Sequence, residues 1–107
     1  MDLPHSTDVR AVGGAFLLDV REDDEWRAGR APDAVHVPLQ TLPGRLHEIP
    51  TDRPVAVICR SGHRSAQATG WLRGQGYAAT NVDGGMQAWA AAGLPMAGDG
   101  PARPHVA

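Results

Sequence analysis

The sequence predicts an α/β fold in which a central parallel sheet of about five strands is covered by helices on both faces. Two observations support this class. Apolar segments of strand length alternate along the chain with segments of helical pattern, as in sheets built from strand–helix–strand units. The clearest strand, residues 55–59, is rich in β-branched side chains and apolar on both faces, which is typical of a strand buried from two sides.

The other elements follow from apolar spacing and turn signals. Ser6, Thr7 and Asp8 can cap a short helix that ends at Gly13 and Gly14. Further strands are predicted over residues 15–20, 35–38 and 77–82. Helices are predicted over residues 21–29, 39–49 and 85–93, and another follows residues 60–64 and ends at Gly74 or Gly76.

The length of 107 residues, 42% of them hydrophobic, predicts a single domain. We expect this domain to occupy residues 1–95. Residues 96–107 are rich in Gly, Pro and Ala without periodicity, so they are expected to form a flexible C-terminal tail.

The charge pattern limits the partners. The chain has 12 acidic residues and 10 basic residues, and all of the basic residues are arginine. Its net charge of −2 argues against nucleic acid or an anionic membrane as partner.

No apolar run is long enough for a transmembrane helix. Residues 1–5 lack a signal-peptide pattern, and the single cysteine excludes an intramolecular disulfide, so a reducing cytoplasmic location is expected. The scattered histidines have no metal-ligand spacing, and we expect neither a metal nor a cofactor.

The stretch after the central strand is the most informative part of the chain: Cys59, Arg60, Ser61, Gly62, His63, Arg64 and Ser65. A thiol at a strand end, followed by a tight loop that opens a helix, faces converging backbone N–H groups and the positive helix end. These donors favour the thiolate, so Cys59 is the candidate nucleophile. Residues 60–65 are the candidate substrate-binding loop. The alternative is that Cys59 only fills the core, as many free cysteines do.

Three blocks of the sequence resemble the rhodanese-like sulfurtransferases in their single-domain form. The blocks are residues 18–29 (LDVREDDEWRAG), 59–65 (CRSGHRS) and 81–95 (NVDGGMQAWAAAGLP). The resemblance implies the rhodanese fold and a cysteine that carries sulfur as a persulfide. It also implies that Asp19 and Arg21 lie near the loop and help to hold it. The other interpretation makes Asp19 an ordinary N-cap, and the acidic run over residues 22–25 is expected to be solvated.

The loop length separates two chemistries. Four residues stand between Cys59 and Arg64, whereas phosphatases of related architecture place five there to cradle a phosphate. The shorter loop favours transfer of a single sulfur from an anionic donor such as thiosulfate, with Arg60 and Arg64 orienting the donor. Without a second cysteine, the acceptor must be external: cyanide, a thiol or a sulfur-accepting protein. The alternatives are a sulfur-carrying or regulatory binding module and, less favoured, a phosphatase or arsenate reductase.

Overall fold

The computed structural model describes residues 5–107, and its centre is a five-stranded sheet in which every pair of neighbouring strands is parallel. The order across the sheet is β1-β5-β4-β2-β3. The strands are β1 (Ser6–Thr7), β2 (Phe16–Asp19), β3 (Val35–His36), β4 (Val55–Ile58) and β5 (Ala79–Val82). The predicted fold class is confirmed. Residues 1–4, in which the sequence shows no signal-peptide pattern, lie outside the described part of the chain.

In the described residues, three α-helices and three short 3₁₀ helices accompany the strands, and the last α-helix follows β5. The α-helices are α1 (Asp23–Ala28), α2 (His63–Gly74) and α3 (Gly85–Ala91). The 3₁₀ helices are Val9–Ala11, Leu39–Gly44 and Leu46–Glu48. Over residues 5–107 no helix has both the length and the apolar character needed to cross a bilayer.

The central strand β4 divides the core into two layers. Val55 and Val57 pack into a cluster that includes Ala68 and Leu72 of α2. Ala56 and Ile58 point to the opposite face, in a cluster that includes Met86 of α3. All four residues of β4 are buried, because strand side chains alternate between faces and each face of this sheet is covered.

Two predicted helices are wrong in extent. The segment 39–49 forms two 3₁₀ helices rather than one α-helix, because Pro43 has no N–H to donate and interrupts the α-helical ladder. Ser6 and Thr7 form the edge strand β1 beside β5 instead of capping a helix. Asp8 does cap, since its carboxylate accepts a hydrogen bond from the Arg10 N–H at 2.9 Å, but the helix is a single 3₁₀ turn.

Residues 96–107 run beside α1. Ala97 exchanges two backbone hydrogen bonds of 2.8 Å with Arg30, and the His105 N–H donates to the Ala28 carbonyl at 3.0 Å. The Asp99 carboxylate lies 2.8 Å from the Arg30 guanidinium. The division into a domain of residues 1–95 and a flexible tail stays a prediction, and these are the contacts that a mobile tail would have to release.

The carboxyl end of β4 is held by the start of α3. The Met86 N–H donates to the Cys59 carbonyl at 2.8 Å, and the Gln87 N–H donates to the Arg60 carbonyl at 3.0 Å. This approach requires glycine at position 85, where φ is +55° and a Cβ would collide with the Cys59 carbonyl and lie 2.8 Å from that of Arg60. The glycine therefore lets the helix end reach the loop.

We expect Gly85→Ala to destabilise the protein and to disturb the Cys59 loop. Gly93→Ala is the matched control, because Gly93 also has a positive φ, +71°, but has open space where a Cβ would stand. The control should lose about 1–2 kcal/mol from left-handed strain alone, and Gly85→Ala roughly twice that or more. Urea unfolding measures both values. Equal losses in the two variants would contradict the close approach of α3 to the loop.

Candidate active site

Cys59 follows β4 directly and lies at the carboxyl edge of the sheet, the place where parallel sheets bind their ligands. Its side chain is 1% exposed. The Gly62 N–H donates to its sulfur at 3.1 Å, and the Ser65 hydroxyl lies 3.2 Å from the same atom. The thiol therefore lies inside a small loop of hydrogen-bond donors.

Gly62 makes the tight turn of this loop possible. Its φ is +107°, a value that side chains other than glycine rarely adopt, and it is the N-cap of α2, which begins at His63. The chain turns back at this point so that the first amides of the loop and helix face Cys59. The Gly62 N–H donates to the sulfur, and the backbone amides of Ser61 and Ser65 act with it to lower the pKa of the thiol.

The surroundings of Cys59 act on its pKa in two directions. Burial is the largest effect and raises the pKa of the thiol, since it penalises the charged form. The Ser65 hydroxyl and the backbone amides of Ser65, Gly62 and Ser61 lower the pKa, and together they outweigh burial. The thiol of Cys59 thus has a pKa below its ordinary value, which increases the fraction of reactive thiolate at neutral pH.

Ser65 and Asn81 form a buried polar pair beneath the sulfur. The Ser65 hydroxyl lies 2.5 Å from the Asn81 amide oxygen, and both side chains are buried. The Asn81 amide nitrogen is also 3.4 Å from the Gly62 carbonyl. Sequence analysis missed Asn81 as a site residue. Its place in the third sequence block was the available signal, but only the pairing of β5 with β4 brings it to the loop.

Arg64 is engaged by a carboxylate from α1. Its two terminal nitrogens donate to the two carboxylate oxygens of Glu25 at 2.7 and 2.8 Å. The hydrogen bond with Glu25 raises the pKa of Arg64, and that with Arg64 lowers the pKa of Glu25. The expectation that Glu25 is solvated is wrong, because its side chain is 13% exposed in this pair. No sequence signal links positions 25 and 64, which meet only in the folded chain.

Arg60, Ser61 and His63 are exposed at the rim of the loop. The Arg60 Nε donates to the Ala107 carbonyl at 3.0 Å. Within residues 5–107 its guanidinium has no side-chain carboxylate partner, whereas that of Arg64 is paired with Glu25. Ser61 Oγ lies 3.4 Å from His63 Nδ1. The predicted substrate-binding residues therefore divide into an inner set, Gly62 and Ser65, an outer set, Arg60, Ser61 and His63, and the paired Arg64.

Asp19 and Arg21 form a fully buried ion pair at the end of β2. Arg21 Nη2 lies 2.8 Å from Asp19 Oδ2 and also donates to the Gly29 carbonyl at 2.7 Å. The pair thus ties β2 to the residue that ends α1. Its link to the Cys59 loop is indirect in the described residues, running through α1 and Glu25 to Arg64.

The arrangement can stabilise negative charge at one sulfur atom and at a small group bound to it. It does so with backbone amides and a hydroxyl, so the nucleophile needs no separate base. In residues 5–107 no cluster of three or more His, Cys, Asp or Glu side chains could hold a metal ion.

Comparison with known proteins gives a consistent set of matches. The family model of the rhodanese-like domain matches residues 5–92. A sulfurtransferase from Allochromatium vinosum is 47% identical over 82 residues, which are 76% of this chain and 77% of that protein. The thiosulfate sulfurtransferase GlpE from Pseudomonas syringae is 35% identical over 87 residues, 80% of this chain and 82% of that one. The crystal structure of a rhodanese-related protein from Thermoplasma volcanium superposes with a TM-score of 0.84 at 29% identity, covering 89% of this chain and 99% of that one.

The lowered pKa of Cys59 predicts a titration midpoint below that of a free thiol measured under the same conditions. Because the chain has one cysteine, the ultraviolet absorbance of the thiolate reports this residue alone. Ser65→Ala should move the midpoint upward, since it removes one donor to the sulfur. A wild-type midpoint at or above the free-thiol value would mean that burial outweighs the hydrogen bonds.

Proposed function

Because this chain belongs to the rhodanese-like domain family, we propose that it is a sulfurtransferase that moves sulfur from thiosulfate to cyanide or a thiol through a persulfide on Cys59. The observation that carries the proposal is the buried Cys59 sulfur, whose pKa is lowered by the Ser65 hydroxyl and three backbone amides. The relatives named sulfurtransferase and thiosulfate sulfurtransferase support the same chemistry.

The first half-reaction transfers one sulfur to the enzyme. The Cys59 thiolate attacks the outer sulfur of thiosulfate, so a bond forms between Sγ and that sulfur. The sulfur–sulfur bond of thiosulfate breaks, and sulfite leaves with the electron pair. Cys59 then carries a persulfide whose negative charge lies on the terminal sulfur. Backbone N–H groups of the loop are positioned to stabilise this charge.

The second half-reaction returns Cys59 to the thiolate. Cyanide or an acceptor thiolate attacks the terminal sulfur and forms a bond to it. The bond to Sγ breaks, and its electron pair stays on Cys59, so thiocyanate or an acceptor persulfide leaves. The chain has one cysteine and therefore no internal thiol to accept the sulfur. The acceptor is an external molecule, which includes the thiol of a partner protein.

The loop size favours this reaction over phosphate or arsenate chemistry. Four residues lie between Cys59 and Arg64, and Gly62 folds back within 3.1 Å of the sulfur. We infer from the shorter loop that one additional sulfur is favoured over a tetrahedral anion. We place the reaction in the cytoplasm, where a single thiol stays reduced.

The two arginines have different roles in this proposal. Arg64 is bound at both terminal nitrogens by Glu25, so its charge is largely compensated and it holds α1 against the loop. Arg60 stands exposed at the rim, and it is the arginine that attracts and orients the dianionic donor.

Intact-mass measurement after incubation with thiosulfate tests the nucleophile. The wild-type protein should gain the mass of one sulfur atom, and cyanide or a thiol should remove it with turnover. Cys59→Ser should gain no mass and show no thiosulfate:cyanide activity while keeping its fold by circular dichroism. Sulfur on Cys59→Ser would contradict the mechanism. A stable persulfide that no acceptor discharges would instead support a sulfur-carrying module and overturn the proposed turnover.

The role of Arg60 predicts a KM effect. Each charge-assisted contact to a donor is worth about 1.5–3 kcal/mol, so Arg60→Ala should raise the KM for thiosulfate by roughly ten-fold. Arg53→Ala is the control, because Arg53 precedes β4 and therefore lies at the opposite edge of the sheet from Cys59. An unchanged KM in Arg60→Ala, or an equal increase in both variants, would remove Arg60 from donor binding.

A further inference from the structure

The hydroxyl of Ser65 has two acceptors and one proton. Its oxygen lies 3.2 Å from the Cys59 sulfur and 2.5 Å from the Asn81 amide oxygen. A serine hydroxyl can donate one hydrogen bond, although it can accept others through its lone pairs. Ser65 is fully buried and Asn81 is 5% exposed. The position of this proton is therefore determined by the side chains of Ser65, Asn81 and Cys59.

The two contacts compete for this one proton. When Ser65 donates to Asn81, its oxygen presents a lone pair to the Cys59 sulfur, and a lone pair can accept from a thiol S–H but repels a thiolate. When Ser65 donates to the sulfur, it stabilises the thiolate, and the serine and amide oxygens face each other at 2.5 Å without a proton between them. The two hydrogen bonds therefore exclude each other.

We propose that Asn81 is a positioning residue which, by competing for the single proton of Ser65, limits how fully that hydroxyl can donate to the Cys59 sulfur. This role rests on the proposed function only in that Cys59 is the nucleophile. Asn81 does not contact the sulfur in any hydrogen bond of the described residues; it acts through Ser65.

The backbone holds Asn81 in place for this role. Asn81 lies opposite Val57 in the pairing of β5 with β4, and its N–H donates to the His5 carbonyl at 2.8 Å. Its amide nitrogen lies 3.4 Å from the carbonyl of Gly62, the N-cap of α2. The amide is thereby oriented with its oxygen toward Ser65.

Other ionisable groups stand on the elements around the loop, and their influence has to be separated from that of Asn81. They are Arg60 in the loop, His63 and Arg64 on α2, Glu25 on α1, Asp19 at the end of β2, and Asp83 between β5 and α3. Strands β4 and β5 and the first turn of α3 contain no ionisable side chain. A double-mutant cycle between positions 65 and 81 leaves all of these groups unchanged and isolates the pathway through the serine.

The experiment titrates Cys59 by thiolate absorbance in four proteins: wild type, Asn81→Leu, Ser65→Ala and the double variant. Leucine is close to asparagine in shape and accepts no hydrogen bond. It should free the Ser65 proton for the sulfur and lower the midpoint by about one pH unit. In the Ser65→Ala background, the same substitution should produce no such decrease. A merely structural role for Asn81 would give an unchanged or higher midpoint, since damage to the loop removes donors.

Two further variants keep the test decisive. Asn81→Ala removes the same acceptor without adding volume, and it replaces Asn81→Leu if that protein does not fold. Asn81→Asp restores the acceptor oxygen and should return the midpoint to the wild-type value or above it. A midpoint that does not fall in the folded Leu or Ala variant, or that falls equally without Ser65, would overturn the proposal. The titration requires no sulfur donor, so its result is separate from the failure or success of the proposed sulfur transfer.

Discussion

The loop after β4 has to turn its backbone amides toward one sulfur atom, and the carbonyls at the start of this loop must find partners elsewhere. The start of α3 meets this requirement by donating from Met86 and Gln87 to the carbonyls of Cys59 and Arg60. Buried peptide groups without partners would be costly. The site therefore depends on the close approach of a helix that is distant in sequence, and this approach depends on the missing side chain of Gly85.

Two of the arginines near the loop, Arg21 and Arg64, are paired with carboxylates. The buried pair of Asp19 and Arg21 ties β2 to the end of α1, and α1 in turn presents Glu25 to Arg64. Arg64 thus links α2 to α1 through Glu25, and the hydrogen-bond donors at the sulfur are an amide and a hydroxyl. Dipoles of amides and a hydroxyl are already oriented before any charge forms, so stabilising a thiolate requires little reorganisation.

Much of the fold was predictable because its strongest signals are local. The apolar run around Val57 and the glycine-containing loop that follows it mark the central strand and the turn into α2. The short edge strand at Ser6 and Thr7 was not predictable, since two residues have no pattern and become a strand only by pairing with β5. The leucine spacing around Pro43 predicts an α-helix, but the segment forms 3₁₀ helices. The spacing reports only which side chains are apolar, whereas the lack of a proline N–H removes a backbone hydrogen bond.

The sequence by itself determined the α/β class, the rhodanese-like family and the candidate nucleophile Cys59 with its loop, since these are properties of consecutive residues. Only the tertiary structure decided the partners of those residues: Glu25 for Arg64, Asn81 for Ser65, and the α3 amides for the loop carbonyls. Ser65 and Asn81 are 16 residues apart in the sequence, and Glu25 and Arg64 are 39 apart. The α3 amides come from a helix that follows β5. The physical reason is that hydrogen bonds and ion pairs are formed by distance in space, and strand order and helix packing set that distance.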